Sequence, residues 1–213
     1  AEQGLQFGRI ISARALGFDA PGVTVNRYCA SGLETIAIAT AKIRTGMASC
    51  IIAGGTESMS LVPTAGWKTV PSYSIAKDDP DYYLSMGLTA EAVAKDYNIS
   101  REAQDEFSFQ SHQKAITAIQ SGHFKSGILP INVEEVYVDA KGKRQKKNYV
   151  MDTDEGPRAD TSIEALAKLK PAFAQGGVVT AGNSSQTSDG AAFVIVMGEK
   201  MMNELGLKPI GRL

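Results

Sequence analysis

Length, composition and charge already exclude several classes of protein. The chain has 213 residues, of which 43% are hydrophobic, enough to fill the core of one substantial domain or two small ones. Its 22 basic and 23 acidic residues leave a net charge of −1, which argues against nucleic acid or an anionic membrane as a partner. Two cysteines are too few for a disulfide framework and favour a reducing, cytoplasmic location, and no run of about 20 apolar residues predicts a membrane span.

Helical and strand patterns alternate over the first part of the chain. Apolar or small residues at helical spacing predict a helix over 2–16 that ends at Gly17, and β-branched residues at 23–25 predict a short buried strand. A second helix is predicted over 30–46, followed by a buried strand over 50–53. This order of strand, helix and strand predicts a right-handed crossover in the parallel or mixed sheet of a layered α/β protein.

The middle and the end of the chain add a mainly helical region and a return to strand character. In chain order we predict an ordered surface segment over 63–80, helices over 89–97 and 101–121, a hairpin with its turn at 141–142, a short helix ending at 169, a strand over 191–196, a helix over 199–205 and the start of a strand at 210–213. Ser100 is the predicted N-cap of the longest helix. Thr161 and Glu164 are the predicted capping box of the short one.

Cys29 is the first candidate for chemistry. It lies between a predicted strand and a predicted helix start, where amide N–H groups and the helix dipole favour a negatively charged sulfur, and Gly32 permits a sharp turn there. Position alone leaves open a second interpretation, a small buried core residue. Cys50 lies inside an apolar strand and is predicted to be such a core residue, and His112 and His123 are predicted to be solvated or locally hydrogen-bonded.

Three features of the second half could contact a ligand. Arg158 could hold a phosphate through two bonds, although a surface salt bridge fits its position equally well. The small-residue loop over 179–185 could let a ligand approach the backbone or could be a tight connection. The basic run over 141–147 is better explained as a solvated hairpin tip than as a phosphate site.

Several segments together resemble one family. The acyl-enzyme signature of thiolases is similar to residues 25–33, VNRYCASGL, and the motif that follows it is similar to residues 53–60, AGGTESMS. The resemblance continues through segments 86–91, 99–105, 166–173 and 180–185. It therefore covers essentially the whole chain.

The resemblance implies an α/β fold with a layered α-β-α core, incomplete here, and an inserted, mainly helical loop domain. Residues 1–60 would belong to the N-terminal core half with the nucleophile, residues 61–170 to the inserted coenzyme A-binding domain, and residues 171–213 to the return to that core and the start of the C-terminal half. Three later motifs of the family, Asn-Glu-Ala-Phe, Gly-His-Pro and Cys-x-Gly, do not occur in these residues. We therefore expect the chain to be part of a longer enzyme and to have negligible turnover alone.

The resemblance also implies the site. Cys29 would accept the acyl group as a thioester, and its own amide would help to form an oxyanion hole. The substrate contacts implied by matching positions are Met86, Arg158, Leu166, Phe173, Ala181 and Ser185. Arg158 would lie near the nucleotide of coenzyme A and the other five along the pantetheine and acyl channel. Coenzyme A would be a substrate, with no tightly bound cofactor and no metal, and the full-length enzyme would be a homodimer or homotetramer.

The implied reaction is thiolytic cleavage of a 3-ketoacyl-CoA to acetyl-CoA and a shortened acyl-CoA, or the reverse Claisen condensation. Ser85, in place of the histidine usual in short-chain biosynthetic members, favours the degradative type over an acetoacetyl-CoA thiolase. Three other hypotheses are weaker. The long insertion argues against a condensing enzyme that uses a carrier protein, Cys29 within its signature argues against a non-catalytic coenzyme A or lipid-binding relative, and the absence of a well-placed histidine argues against a cysteine protease.

Overall fold

The structure, a computed structural model, describes residues 5–213, so the first residues of the predicted helix over 2–16 lie outside the described part. Its helices and strands in chain order are α1 (Phe7–Leu16), α2 (Ser31–Arg44), β1 (Cys50–Ser58), α3 (Tyr73–Asp78), α4 (Met86–Asp96), α5 (Arg101–Gln120), β2 (Ile131–Val138), β3 (Arg144–Met151), α6 (Ile163–Ala167), β4 (Asp189–Met197) and α7 (Glu199–Glu204). None of these described helices is both long and apolar enough to cross a bilayer.

The chain divides into two units. The first contains the residues up to Thr69 and again Thr187–Leu213, and the second contains Val70–Gln186. The unit boundaries fall later in the chain than the predicted limits of the inserted segment, 61–170. Residues 171–186 belong to the second unit, where the Val179 amide donates to the Glu91 side chain of α4 and the Asn183 side chain donates to the Asp105 side chain of α5.

The first unit is built on an antiparallel pair of strands. β1 pairs with β4 from Cys50 opposite Met197 to Ser58 opposite Asp189. α2 packs against both strands, and its Ala39 is 1% exposed, so small side chains allow the helix to approach the sheet closely. Gly54 is required in β1 because a Cβ there would overlap the Ala192 carbonyl oxygen and the Phe193 side chain.

The predicted right-handed crossover is wrong. Residues 23–25 form no strand, and β1 pairs antiparallel with β4 from the far end of the chain. The reason is that α1 uses the polar groups of this segment: the Thr24 hydroxyl accepts the Gly8 amide (2.8 Å), and the Thr24 amide donates to the Gln6 side-chain oxygen (3.0 Å). β-Branched residues favour a strand only where a partner strand is present.

The predicted core position of Cys50 is also wrong, since this side chain is exposed. Cys50 is the first residue of β1, and within residues 5–213 β1 has a neighbouring strand on one side only. A continuous apolar run therefore does not guarantee burial at the end of a strand in a two-stranded sheet.

The second unit confirms the predicted helices and hairpin. Ser100 caps α5, its hydroxyl accepting the Ala103 amide at 3.2 Å. β2 and β3 pair antiparallel, and at their tip the Asp139 carboxylate accepts the amides of Lys141 and Lys143, each at 2.9 Å. These elements were predictable because each depends on residues close in sequence.

Three local predictions need correction. The cap of α6 is Ser162, whose hydroxyl accepts the Ala165 amide (3.1 Å), and not Thr161, because the chain is extended at Ser162 and turns into the helix there. The surface segment over 63–80 contains the helix α3. Residues 210–213 form no strand, and the Leu213 carbonyl oxygen accepts the Arg44 guanidinium at 2.9 Å.

Candidate functional site

Cys29 lies in a tight turn that leads into α2. Its side chain is exposed, and α2 begins two residues later at Ser31, as the sequence predicted. The first N–H groups of a helix have no acceptor inside the helix and carry the positive end of its dipole. The interpretation of Cys29 as a buried core residue is therefore excluded, and the residue lies two positions before the first residue of a helix.

Side chains close in sequence fix this turn. The Tyr28 amide donates to the Asn26 side-chain oxygen at 2.9 Å, and the Ser31 hydroxyl accepts the Arg27 amide (2.7 Å) and donates to the Tyr28 carbonyl oxygen (2.6 Å). Tyr28 has φ +50°, a left-handed conformation that costs a non-glycine residue about 1–2 kcal/mol. These bonds offset that cost and hold Cys29 at the point where the chain turns.

Met86 and Phe173, two of the predicted substrate contacts, both lie at the start of α4 in the second unit. Met86 opens α4, and the Phe173 ring lies so close to Gly87 that a Cβ on this glycine would overlap the ring. The Met86 side chain is 71% exposed and the Phe173 side chain 44% exposed. Met86 also lines a shallow cavity of about 420 Å³ with side chains of α4 and α5. This corner offers accessible apolar surface.

Leu166, Ala181 and Ser185 are associated with one loop but differ in access. Leu166 is 4% exposed, and its Cδ2 lies 2.5 Å from the position that a Cβ on Gly182 would occupy. Its side chain therefore supports the loop from below and is covered in this structure. Ala181 and Ser185 are exposed on the loop itself, and the Ser185 hydroxyl donates to the Gln186 carbonyl oxygen at 3.2 Å.

Arg158 forms the surface salt bridge that its sequence position left open. Its Nε and Nη2 donate to the two carboxylate oxygens of Asp160 at 3.2 and 3.1 Å, and both side chains are largely exposed. Each group favours the charged form of the other, so the pKa of Asp160 is lowered and that of Arg158 raised. The Arg158 amide donates to His112 Nδ1 at 3.1 Å, so the hydrogen bond of this histidine joins residues 46 positions apart and is not the local one predicted. A phosphate that binds Arg158 through Nε and Nη2 would have to displace Asp160.

A polar cluster that no sequence pattern indicates lies beneath the loop over 177–185. Asp105 is 2% exposed and Thr180 fully buried, and Glu91 and Asn183 also bond into the loop. Charged and polar side chains this deeply covered are uncommon and need specific partners. Glu91 and Asp105 bond to loop residues 87 and 78 positions away, so spacing does not reveal the cluster.

A family model described as the thiolase N-terminal domain matches residues 4–200. The chain is 49% identical to the 3-ketoacyl-CoA thiolase of Bacillus subtilis (strain 168) over 211 residues, 99% of this chain and 54% of that protein. It is 40% identical to the acetyl-CoA acetyltransferase of Escherichia coli (strain K12) over 205 residues, 90% of this chain and 50% of that protein.

Solved structures are similar over nearly the whole chain. The crystal structure of human mitochondrial 3-ketoacyl-CoA thiolase matches with a TM-score of 0.79 and 32% identity, covering 98% of this chain and 54% of that one. The dimeric peroxisomal thiolase of Saccharomyces cerevisiae matches with a TM-score of 0.77 and 35% identity, covering 95% and 49%. The chain thus spans about half the length of the relatives it matches.

Proposed function

The chain belongs to the thiolase family and has its mixed α/β fold, and from that premise we propose that the complete protein transfers acyl groups to and from coenzyme A through Cys29. One observation carries the proposal: Cys29 is exposed and lies two residues before the first residue of α2, in a turn fixed by Asn26 and Ser31. A nucleophile needs both access and stabilisation of negative charge, and this position supplies access together with the positive end of a helix.

The proposed reaction is the thiolytic cleavage of a 3-ketoacyl-CoA. The Cys29 thiolate forms a bond to the keto carbon, the bond between that carbon and the α carbon breaks, and the α carbon gains a proton and leaves as acetyl-CoA. The thiol of a second coenzyme A then gives up its proton, attacks the acyl-Cys29 thioester and releases the shortened acyl-CoA. N–H groups at the start of α2 and the Cys29 amide stabilise the oxyanion that forms at each attack.

The second unit supplies the proposed contacts to coenzyme A. Exposed apolar surface at Met86 and Phe173 supports contact with the pantetheine or acyl chain, and the exposed loop residues Ala181 and Ser185 support approach of the ligand to the backbone. Arg158 is the proposed contact for the nucleotide end and releases Asp160 when phosphate binds. The assignment of 61–170 as an inserted coenzyme A-binding domain stays part of this proposal.

We propose the degradative type, with a short-chain biosynthetic acetoacetyl-CoA thiolase as the second candidate. The higher identity to a relative named 3-ketoacyl-CoA thiolase supports the first, and the 40% identity to one named acetyl-CoA acetyltransferase supports the second. Activity of the complete protein on acetoacetyl-CoA and on a longer 3-ketoacyl-CoA separates the two. A homodimer is the proposed assembly, supported by the dimeric yeast structure, and a cytoplasmic location stays a prediction.

Trapping the acyl-enzyme tests the nucleophile. The complete protein is mixed with acetoacetyl-CoA, quenched in acid and digested, and the peptides are analysed by mass spectrometry. We expect an acetyl group on Cys29, retained in Cys50→Ser and lost in Cys29→Ser together with a fall in turnover on the order of a thousandfold or more. Turnover without an acyl group on Cys29 contradicts the mechanism. A folded protein with neither turnover nor acylation supports the non-catalytic alternative.

A further inference from the structure

A buried ion pair on α5 anchors the end of α6. Arg101 Nε donates to Asp105 Oδ2 at 2.7 Å, and the two side chains are 19% and 4% exposed. Arg101 Nη2 also donates to the carbonyl oxygens of Leu166 (2.6 Å) and Leu169 (3.0 Å). The guanidinium therefore binds one carbonyl group near the C-terminal end of α6 and one in the residues that follow it.

The second oxygen of Asp105 reaches the loop over 177–185, which carries two proposed substrate contacts. Asn183 Nδ2 donates to Asp105 Oδ1 at 3.0 Å and to the Val178 carbonyl oxygen at 3.1 Å. Asn183 Oδ1 accepts the Thr180 amide at 2.7 Å. The three bonds use both protons and the oxygen of the amide, so the side chain of Asn183 has one orientation that satisfies it.

Thr180 and Glu91 complete the support. The fully buried Thr180 accepts the amides of Gly182 (3.2 Å) and Asn183 (3.3 Å) on its hydroxyl oxygen. The Glu91 carboxylate of α4 accepts the Val178 amide at 3.0 Å and the Val179 amide at 2.9 Å. The loop is thus held from α4 on one side and from α5 on the other.

The bonding pattern distinguishes this cluster from a simple stabilising contact. A buried ion pair adds little net stability compared with apolar packing of the same volume, because removing two charges from water costs about as much as their attraction returns. What such a cluster supplies is a single geometry, since every donor and acceptor is satisfied in one arrangement only. Here that geometry fixes the backbone at Ala181 and brings Leu166 beneath Gly182.

We propose that Asn183, held by the Arg101–Asp105 pair, is a positioning residue for acyl-CoA binding, acting through the backbone of Ala181 and Ser185. The proposal rests on the proposed function of this loop and goes beyond it by assigning a role to side chains that do not touch the substrate. Loss of the Asn183 amide removes the bond to Asp105 and the acceptor of the Thr180 amide. The loop then samples several conformations, and the substrate must select one of them.

The test compares Asn183→Ala with two controls in the complete protein. Asn132→Ala removes an exposed asparagine of β2 in the same unit. Ala39→Gly lowers stability through the buried middle of α2 without touching the loop. KM and kcat for acetoacetyl-CoA, the melting temperature and the rate of Cys29 alkylation by iodoacetamide are measured for each variant at a temperature where all are folded.

We expect Asn183→Ala to raise KM for acetoacetyl-CoA on the order of tenfold or more, with a smaller change in kcat and an unchanged alkylation rate at Cys29. Asn132→Ala leaves KM unchanged, and Ala39→Gly lowers the melting temperature without raising KM. Asp105→Asn keeps the side-chain volume but removes the charge paired with Arg101 and one acceptor, so it raises KM in the same direction. This second variant decides the question where Asn183→Ala does not fold.

Two results overturn different statements. A lowered melting temperature with an unchanged KM in both Asn183→Ala and Asp105→Asn means that the cluster only stabilises the fold, and the positioning role is then wrong while the proposed function stands. Absence of acylation at Cys29 in the unmodified protein refutes the proposed function itself, whatever the variants do.

Discussion

Cys29 and the loop over 177–185 are held in place by contacts of very different range. In the first unit, Asn26 and Ser31 fix the turn at Cys29, and both lie within three residues of it. In the second unit, the loop depends on Glu91 and Asp105, which are 87 and 78 residues from their partners. The proposed nucleophile is positioned by its own neighbours, and the proposed substrate contacts are positioned by tertiary structure.

This difference determines how each region responds to substitution. A turn fixed by adjacent residues keeps its shape when distant packing is perturbed, because few of its bonds cross to other elements. A loop fixed by side chains of two helices loses its geometry when either helix is altered. Substitutions far from the substrate should therefore affect binding in the second unit and leave the reactivity of Cys29 unchanged.

The largest effect on stability is expected at Glu91. Glu91→Ala leaves the amides of Val178 and Val179 without their acceptor, at a cost of about 1–3 kcal/mol for each buried group. Glu91→Gln keeps one oxygen as an acceptor and should therefore lose less stability than Glu91→Ala. Denaturant unfolding measures both variants and also Asn26→Ala, the local counterpart, for which we expect a loss of about 1 kcal/mol or less in the free energy of unfolding. An equal loss of unfolding free energy in Asn26→Ala and Glu91→Ala would contradict the distinction between local and long-range contacts.

Gly87→Ala tests the contact between the start of α4 and the Phe173 ring in the second unit. Alanine is normally favoured over glycine within a helix by up to about 1 kcal/mol, and Gly87 is the second residue of α4. The Phe173 ring occupies the space of the new Cβ, so we expect a net destabilisation of about 1–3 kcal/mol and a higher KM for acyl-CoA. Gly32→Ala is the matched control for stability, since a Cβ there meets no atom within 4 Å in the described structure. Stabilisation by Gly87→Ala would show that Phe173 moves at no cost.

Arg158 and Asp160 form a local contact within the second unit. Their variants therefore test whether the response to substitution depends on the sequence distance between contacting residues or on the unit in which they lie. Asp160→Asn removes the carboxylate that a phosphate must displace, and we expect KM for coenzyme A to fall about threefold. Arg158→Ala should raise KM by a similar factor. An unchanged KM in both variants would assign Arg158 to the surface salt bridge alone.

The smallest effect is expected at the hairpin tip. Hydrogen bonds from Gln145 and from the Lys143 and Lys141 amides lower the pKa of Asp139 below its ordinary value. Because the folded pKa lies below the unfolded one, the contribution to stability is present above the ordinary pKa and is lost as pH falls through the lowered value. An NMR titration of Asp139 measures this, and Gln145→Ala should raise its pKa. No change in that variant would contradict the assigned cause.

The sequence could predict the features that depend on neighbouring residues, but not those that depend on residues far apart in the chain. The turn at Cys29, the cap at Ser100 and the hairpin are all encoded by neighbouring residues, and the structure has them where they were predicted. The strand over 23–25 was wrong because α1 takes up the polar groups of Thr24. The link between Asp105 and Asn183 could not be predicted, since no local pattern joins residues so far apart.

Cys29 and Cys50 provide the most direct test of the central claim, because both are exposed and access alone does not separate them. The measurement is the rate of alkylation of each cysteine by iodoacetamide near neutral pH, followed by mass spectrometry with and without acetyl-CoA. We predict that Cys29 reacts faster than Cys50 and that acetyl-CoA protects Cys29 alone, since the helix start stabilises its thiolate and the acyl group occupies its sulfur. Equal rates for the two cysteines, with no protection of Cys29 by acetyl-CoA, would contradict its role as the nucleophile.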